Sequence, residues 1–217
     1  MVAIPAGRVT LSDRRTQRTW SVDVGPFLLA AVPVTQLRYG QVTGGHPSAG
    51  HGERLPVESV SWWDAVRFCN ALSQREGLAP AYRLSADTET VEWDAAAEGY
   101  RLPTEAEWEH ACRAGTTGPR YGELDAIAWY RGNSDGRVHD VGGKQPNAWG
   151  LHDMLGNVWD WCWDVYDAAV YGEYRVLRGG GWSDEHWSCR AAVRRRSHPT
   201  FEIDDVGFRL ARSTVAR

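Results

Sequence analysis

Lysine is all but missing: Lys144 stands alone, and the rest of the 24 basic residues are arginine. An arginine fork meets a carboxylate through two parallel hydrogen bonds, so the ion pairs of this chain are expected to be well oriented. Long apolar runs are missing too. The longest, Phe27 to Val34, falls well short of the ~18 residues that suggest a membrane span. The opening Met1–Arg8 has neither the basic stretch nor the apolar core of a secretory leader. These absences predict a cytoplasmic protein with no membrane partner. A strong charge of either sign is absent, the net being −4, so nucleic acid finds no basic footprint. The cysteines, Cys69, Cys112, Cys162 and Cys189, form no C-x-x-C pair and no zinc spacing, which predicts reduced thiols. Phosphate-binding glycine loops and the local signature of a Ser/His/Asp triad are missing as well.

What is present is tryptophan and glycine, 12 and 23 residues in a chain of 217. Neither fits easily into long uniform helices, so a loop-rich body is expected. At 42% apolar and 24% charged, the chain can bury a core, and its length suits one domain over residues 1–217. Val9–Leu11 and Trp20–Val24 read as a half-buried strand pair, and Phe27–Val32 as a more buried strand. Thr35 is placed to cap a short helix through Tyr39. Ser61 and Asp64 stand three apart in the manner of a capping box, followed by Ala65, Phe68, Cys69 and Leu72 at helical spacing. Thr104 and Glu107 repeat the device before Trp108, Ala111 and Cys112, with Gly115 as the stop. After Thr116 no helical period of any length appears. Trp159, Trp161 and Trp163 alternate, so a strand there turns all three to one face. The sum is an α+β fold with two main helices, an irregular antiparallel sheet and little regular secondary structure.

Several of these stretches, taken together, resemble the formylglycine-generating-enzyme (sulfatase-modifying-factor) family. They are Pro33-Val34-Thr35, Pro56–Trp62, Arg101–Glu109, Pro146–Leu151, Gly156–Trp161, Arg178-Gly179-Gly180 and Gly207-Phe208-Arg209. They occur in the family's order and cover nearly the whole chain. The resemblance implies a C-type-lectin-like fold. It does not by itself choose a function, because one fold hosts many sites. Members of the family oxidise a sulfatase cysteine to formylglycine with copper and oxygen, or form sulfoxides with iron. Others bind ligands, among them the variable proteins of diversity-generating retroelements.

The copper members hold Cu(I) between two thiolates five residues apart, after a Gly-Gly-Ser. Here Cys189 matches the second cysteine, Asp184 stands where the first belongs, and Gly181 replaces the serine. One thiolate beside a hard carboxylate is a poor Cu(I) site, so ordinary formylglycine synthesis is not expected. Cys162 remains the other candidate thiol, and Trp161 and Trp163 beside it suggest packing. The iron members need an H-x3-H-x-E motif, a spacing absent from the seven histidines, unless a partner protein from a neighbouring gene supplies that domain. The family's structural calcium maps onto the Asn147 side chain and the backbone oxygens of Ala148, Gly150 and His152. An ion-free turn is the alternative.

The stretch from Trp182 to Phe201 concentrates the remaining chemistry. If Ser183–Trp187 were extended, Asp184 and His186 would share a face, and His198 could complete a two-His-one-carboxylate iron set. A solvated charged loop is the plainer alternative. Trp182, Glu185, Trp187, Arg194, Arg196 and Phe201 are candidate ligand-binding residues, since Trp and Arg dominate recognition surfaces. Two readings follow. One is a lectin-like module that binds a peptide or small molecule. The other is an oxygen-dependent oxidoreductase with a reworked iron or copper centre, using Asp184, His186, His198 or Cys189.

Overall fold

The computed structural model of the protein describes residues 1–85 and 90–214. The first half contains β1 (Val2–Ile4), β2 (Gly7–Asp13), β3 (Arg18–Val24), β4 (Phe27–Leu29), α1 (Gln36–Thr43), α2 (Trp62–Arg75), β5 (Tyr82–Leu84), β6 (Val91–Trp93), β7 (Tyr100–Arg101) and α3 (Glu105–Arg113). The second half contains α4 (Leu124–Ile127), β8 (Trp159–Val165), α5 (Ala168–Tyr171), β9 (Arg175–Arg178), β10 (Arg194–Ser197), β11 (Val206–Gly207) and β12 (Ala211–Ser213). No helix among the described residues is long and apolar enough to cross a membrane.

Both capping boxes form. Ser61 Oγ accepts from Asp64 N at 3.1 Å while Asp64 Oδ2 accepts from Ser61 N at 3.2 Å. Thr104 and Glu107 do the same at 3.1 and 2.8 Å, which satisfies two amides that a helix start otherwise leaves open. Below the first cap, Ala65, Phe68, Cys69 and Leu72 form a buried stripe. Helix α3 stops at Ala114 (φ 43°) and Gly115 (φ 87°), so the left-handed turn begins one residue before the glycine. Thr35 caps α1, which runs past Tyr39 to Thr43. The single-turn helices α4 and α5 lie where the sequence carries no helical period.

Among the described residues the strands form two four-stranded sheets and two ribbons, where the sequence suggests one irregular antiparallel sheet. The first sheet, β1-β4-β12-β7, brings both ends of the chain together, with Val2 and Ala211 on opposite sides of Leu29. The second is β10-β9-β8-β11, and its β11–β8 pair is parallel, Val206 opposite Trp159. Gly207 lets the Val57 backbone approach β11 closely, since a Cβ there would lie 2.3 Å from the Val57 carbonyl oxygen. The β2–β3 ribbon pairs Val9 with Val22 and Leu11 with Trp20. The strand expected over Phe27–Val32 ends at Leu29.

Strand β8 is the wall between two cores. Trp159 and Trp161 join Trp62, Phe68 and Phe208 on one side, with Trp163 packed against them. Cys162 points to the other side, with Ile4, Leu29, Trp108 and Met154. Charges cross this interior in pairs: Arg209 Nε lies 2.6 Å from Asp160 Oδ2, and the fully buried Arg178 reaches Glu109 and Glu105. Each pair offsets the desolvation that an isolated buried charge would suffer.

Candidate functional site

After the left-handed Gly179 (φ 105°) and Gly180 (φ 84°), the chain from Ser183 to Trp187 is a series of turns, not the extended segment that the iron set would require. Asp184 N donates to Gly181 O at 3.2 Å and Ser188 N to Glu185 O at 2.9 Å. The turns separate the three residues of the proposed iron set. Asp184 faces inward, where its Oδ2 accepts from Trp159 Nε1 at 2.6 Å and from Gly181 N at 2.9 Å. Its Oδ1 takes the Ser188 hydroxyl at 3.3 Å. His186 is exposed, edge-on to Trp187. His198 is exposed elsewhere, its Nδ1 bonded to Thr200 Oγ1 at 2.8 Å and its ring against Tyr174. Among the described residues, no three His, Cys, Asp or Glu side chains gather in a metal-holding group.

Cys189 is buried in the core, and burial, with the Asp184 carboxylate adding to it, pushes its thiol up to about 12. Cu(I) needs thiolates. The pair at this position is one resistant thiol and one carboxylate already holding three donors, so the residues do not fit the copper ion of the family. Cys162 is fully buried and its thiol is raised well above the ordinary value by burial, so it supplies no second thiolate. Gly181 stands where there is no room for a larger side chain. A Cβ on Gly181 would lie 2.8 Å from Asp205 Cβ and 3.0 Å from its Oδ2. Asp205 fills that space, accepting the Ser183 hydroxyl at 2.8 Å, and burial raises its pKa.

The turn at Asn147 is closed on itself. Asn147 Oδ1 accepts from Trp149 N and Leu151 N at 3.0 and 3.2 Å, and its Nδ2 donates to the Ala111 and Cys112 carbonyls at 2.7 and 3.2 Å. Asn147 O takes Gly150 N at 2.9 Å, Gly150 being left-handed at φ 80°. His152 O accepts from Arg209 Nη2 at 3.1 Å, which sets a guanidinium beside it. Ala148 adds its backbone only. A cation here would compete with backbone amides for the Asn147 oxygen and face the Arg209 charge, so the turn as built does not favour calcium.

Two of the six candidate binding residues, Trp187 and Arg194, line one cleft of about 690 Å³. Its other walls include Arg14, Pro119, Tyr166 and Arg190. Trp187 is 54% exposed. Arg194 is pinned: its Nε and Nη2 lie 2.5 and 2.8 Å from the Glu105 oxygens, and its Nη1 lies 3.5 Å from Asp13 Oδ2. Its guanidinium also covers the Tyr166 ring at 4.4 Å. Arg196, two residues on and on the same side of β10, lies over the Tyr166 and Tyr171 rings at 5.2 and 3.8 Å. The remaining candidates lie apart from the cleft. Trp182 Nε1 donates to Asp204 O at 2.9 Å, Glu185 meets Arg131 at 3.1 Å, and half-buried Phe201 donates its amide to His198 O at 2.9 Å.

A second hollow of about 540 Å³ shares Asp13, Tyr166 and Arg194 with the cleft and reaches Trp20, Glu105 and Asp164. Burial pushes the Asp164 carboxyl up to about 6, although its Oδ2 accepts from Glu105 N at 2.6 Å. The sequence reading missed Arg14, Tyr166 and Arg190. Arg14 sits on the turn between β2 and β3, and nothing local ties that turn to the C-terminal stretch.

The chain matches the family profile described as sulfatase-modifying factor enzyme 1-like domain over residues 1–214. The chaperone protein LppX of Paenibacillus barcinonensis is 32% identical, across 89% of this chain and 82% of that protein. The inactive C-alpha-formylglycine-generating enzyme 2 of Bos taurus is 33% identical across 93% of this chain, which spans 62% of the bovine protein. The solved structure of Treponema denticola variable protein 1 superposes with a TM-score of 0.90 at 32% identity, covering 98% of this chain and 94% of that one.

Proposed function

This chain belongs to the sulfatase-modifying factor enzyme 1-like family, with that family's C-type-lectin-like fold, and from that premise we propose that it is a binding member which does not carry out copper-dependent cysteine oxidation. The observation that carries the reading is the cleft where Trp187 and Arg194 meet the β2–β3 turn. Its volume of about 690 Å³ lies within the ~300–1,000 Å³ of small-ligand sites. The ligand is a small molecule or the side chains of a short peptide.

Two further observations support it. Asp184, which the resemblance sets where the family has its first thiolate, has its carboxylate tied to Trp159, Gly181 and Ser188. A relative matching 93% of the chain carries the word inactive in its name. The reading as an oxygen-dependent oxidoreductase gains nothing from Asp184, His186 and His198, which face different partners.

A thermal-shift screen of short peptides and small molecules tests the proposal. Ligands of one chemical class are expected to raise the melting temperature by a few degrees, by mass action on the folded state. The exposed-residue variant Trp187→Ala is expected to abolish the rise. Stabilisation that is equal in the parent and in Trp187→Ala would move the site elsewhere and overturn the reading.

A further inference from the structure

We infer that the cleft beside Trp187 receives an oxyanion (a carboxylate, phosphate ester or sulfate ester) carried on a flat apolar group. The inference rests on the cleft being the binding site, and it adds the chemical class of the ligand.

The argument is one of unmatched charge. Four arginines line the cleft, Arg14, Arg15, Arg190 and Arg194, against one carboxylate, Asp13. Asp13 is already taken: its Oδ1 accepts from Arg15 N at 2.8 Å, and its Oδ2 faces Arg194 and Arg15. Arg194 is held by Glu105, and Arg15 pairs with Asp167. Arg14 and Arg190 are exposed, and among the described residues neither guanidinium has a hydrogen-bond or ion-pair partner. Two free forks lining one cleft suit an oxyanion, which accepts parallel N–H donors.

The rest of the cleft is aromatic. Trp187 is 54% exposed at one wall. Tyr166 is half-buried at another, its ring fixed beneath Arg194 and Arg196. An exposed indole and a pinned phenol lining the same cleft offer flat apolar area at little entropic cost. Aromatic walls alone could equally cage a cation. Here the unpaired groups beside them are positive, which repels a cation and selects an anion. The β2–β3 turn that carries Arg14 is itself braced, Gln17 Nε2 donating to Arg14 O at 2.7 Å.

Isothermal titration of the full chain with phenyl phosphate, phenyl sulfate, benzoate, benzyl alcohol and inorganic phosphate tests the inference. At least one of the three aryl oxyanions is expected to bind, and which one binds names the source of the charge. Benzyl alcohol and inorganic phosphate are expected to bind at least about tenfold more weakly. Arg14→Gln, Arg190→Gln and Trp187→Ala, all at exposed positions, should each weaken binding about tenfold, the size of one charge-assisted contact. Arg67→Gln, on an exposed arginine of α2 outside the cleft, should leave it unchanged. Binding of benzyl alcohol as tight as the aryl anions, lost in Trp187→Ala and indifferent to both arginine variants, would overturn the anionic class and leave the cleft standing. Inorganic phosphate as tight as the aryl esters would overturn the flat group. No binding by any probe, or binding that none of the three variants alters, would overturn the cleft as well.

Discussion

The indole N–H of Trp159 donates to the carboxylate of Asp184 at 2.6 Å. That bond joins the wall between the two cores to the turn that follows Gly181. Gly181 N at 2.9 Å and the Ser188 hydroxyl at 3.3 Å complete the set around the carboxylate. Asp184 therefore organises the turn, a role that does not need a metal.

The first prediction concerns that role. Asp184→Ala leaves the indole N–H of Trp159, a residue 2% exposed, and the Gly181 amide without their acceptor. A buried donor left unmatched costs about 1–3 kcal/mol. Urea unfolding should show a loss of that order. Asp184→Asn, which keeps an acceptor oxygen, should lose clearly less. Equal stability for all three proteins would contradict the role.

Gly181 and Asp205 should behave as a pair. Gly181→Ser pushes a Cβ to 2.8 Å from Asp205 Cβ, and overpacking of this kind costs about 1–3 kcal/mol. Trimming the obstacle with Asp205→Ala should return part of that loss. A double-mutant cycle should give a coupling of at least about 0.5 kcal/mol. Additive effects would show that the two sites are independent.

The third prediction is a pH slope from Asp164. Burial lifts its folded pKa from the ordinary carboxyl value of 3.8 to about 6, so the folded state holds the proton more tightly than the unfolded chain does. Its contribution to stability is then full below pH 4 and is lost as the pH rises through 6. Asp164→Asn stays neutral throughout, so the stability difference between variant and parent should widen in the variant's favour from pH 4 to 7. A difference that does not change with pH would contradict the shifted carboxyl. Other carboxylates titrate in both proteins and cancel in that comparison.

The capping boxes at Ser61 and Thr104, the Trp159–Trp163 alternation and the β2–β3 ribbon were legible because each is written in residues close together in the chain. What escaped is written between distant segments. The parallel pairing of Val206 with Trp159 has no local signature, and neither have the single turns α4 and α5, which packing rather than periodicity sets. Arg194 reads from the sequence as a ligand-binding candidate. Its pairing with Glu105 depends on where α3 lies against β10. Arg14 and Arg190 escaped for the same reason, since only the fold brings the β2–β3 turn to the Trp187 stretch. Ser183–Trp187 is polar up to its last residue and carries no local period that fixes its backbone. The hydrogen bonds from Asp184 N to Gly181 O and from Ser188 N to Glu185 O curl it.

Calcium supplies the fourth prediction. The Asn147 oxygen already holds two backbone amides, and Arg209 stands at His152 O. Millimolar calcium, or a chelator in its place, should move the melting temperature by no more than about a degree. A site filled at 100 times its Kd would add about 2.7 kcal/mol, a shift of several degrees. Such a shift, lost in Asn147→Ala, would show that the turn opens to take the ion.

The central claim, that this member has left cysteine oxidation behind, meets its most direct test in one assay. The purified chain is incubated with a thiol peptide, oxygen and added Cu(I), and the peptide is followed by mass spectrometry for conversion of cysteine to formylglycine. The account predicts no aldehyde above the copper-only control, because Cys189 is a buried thiol raised to about 12 and Asp184 is bound to Trp159. Multiple turnovers that vanish in Cys189→Ser would contradict it.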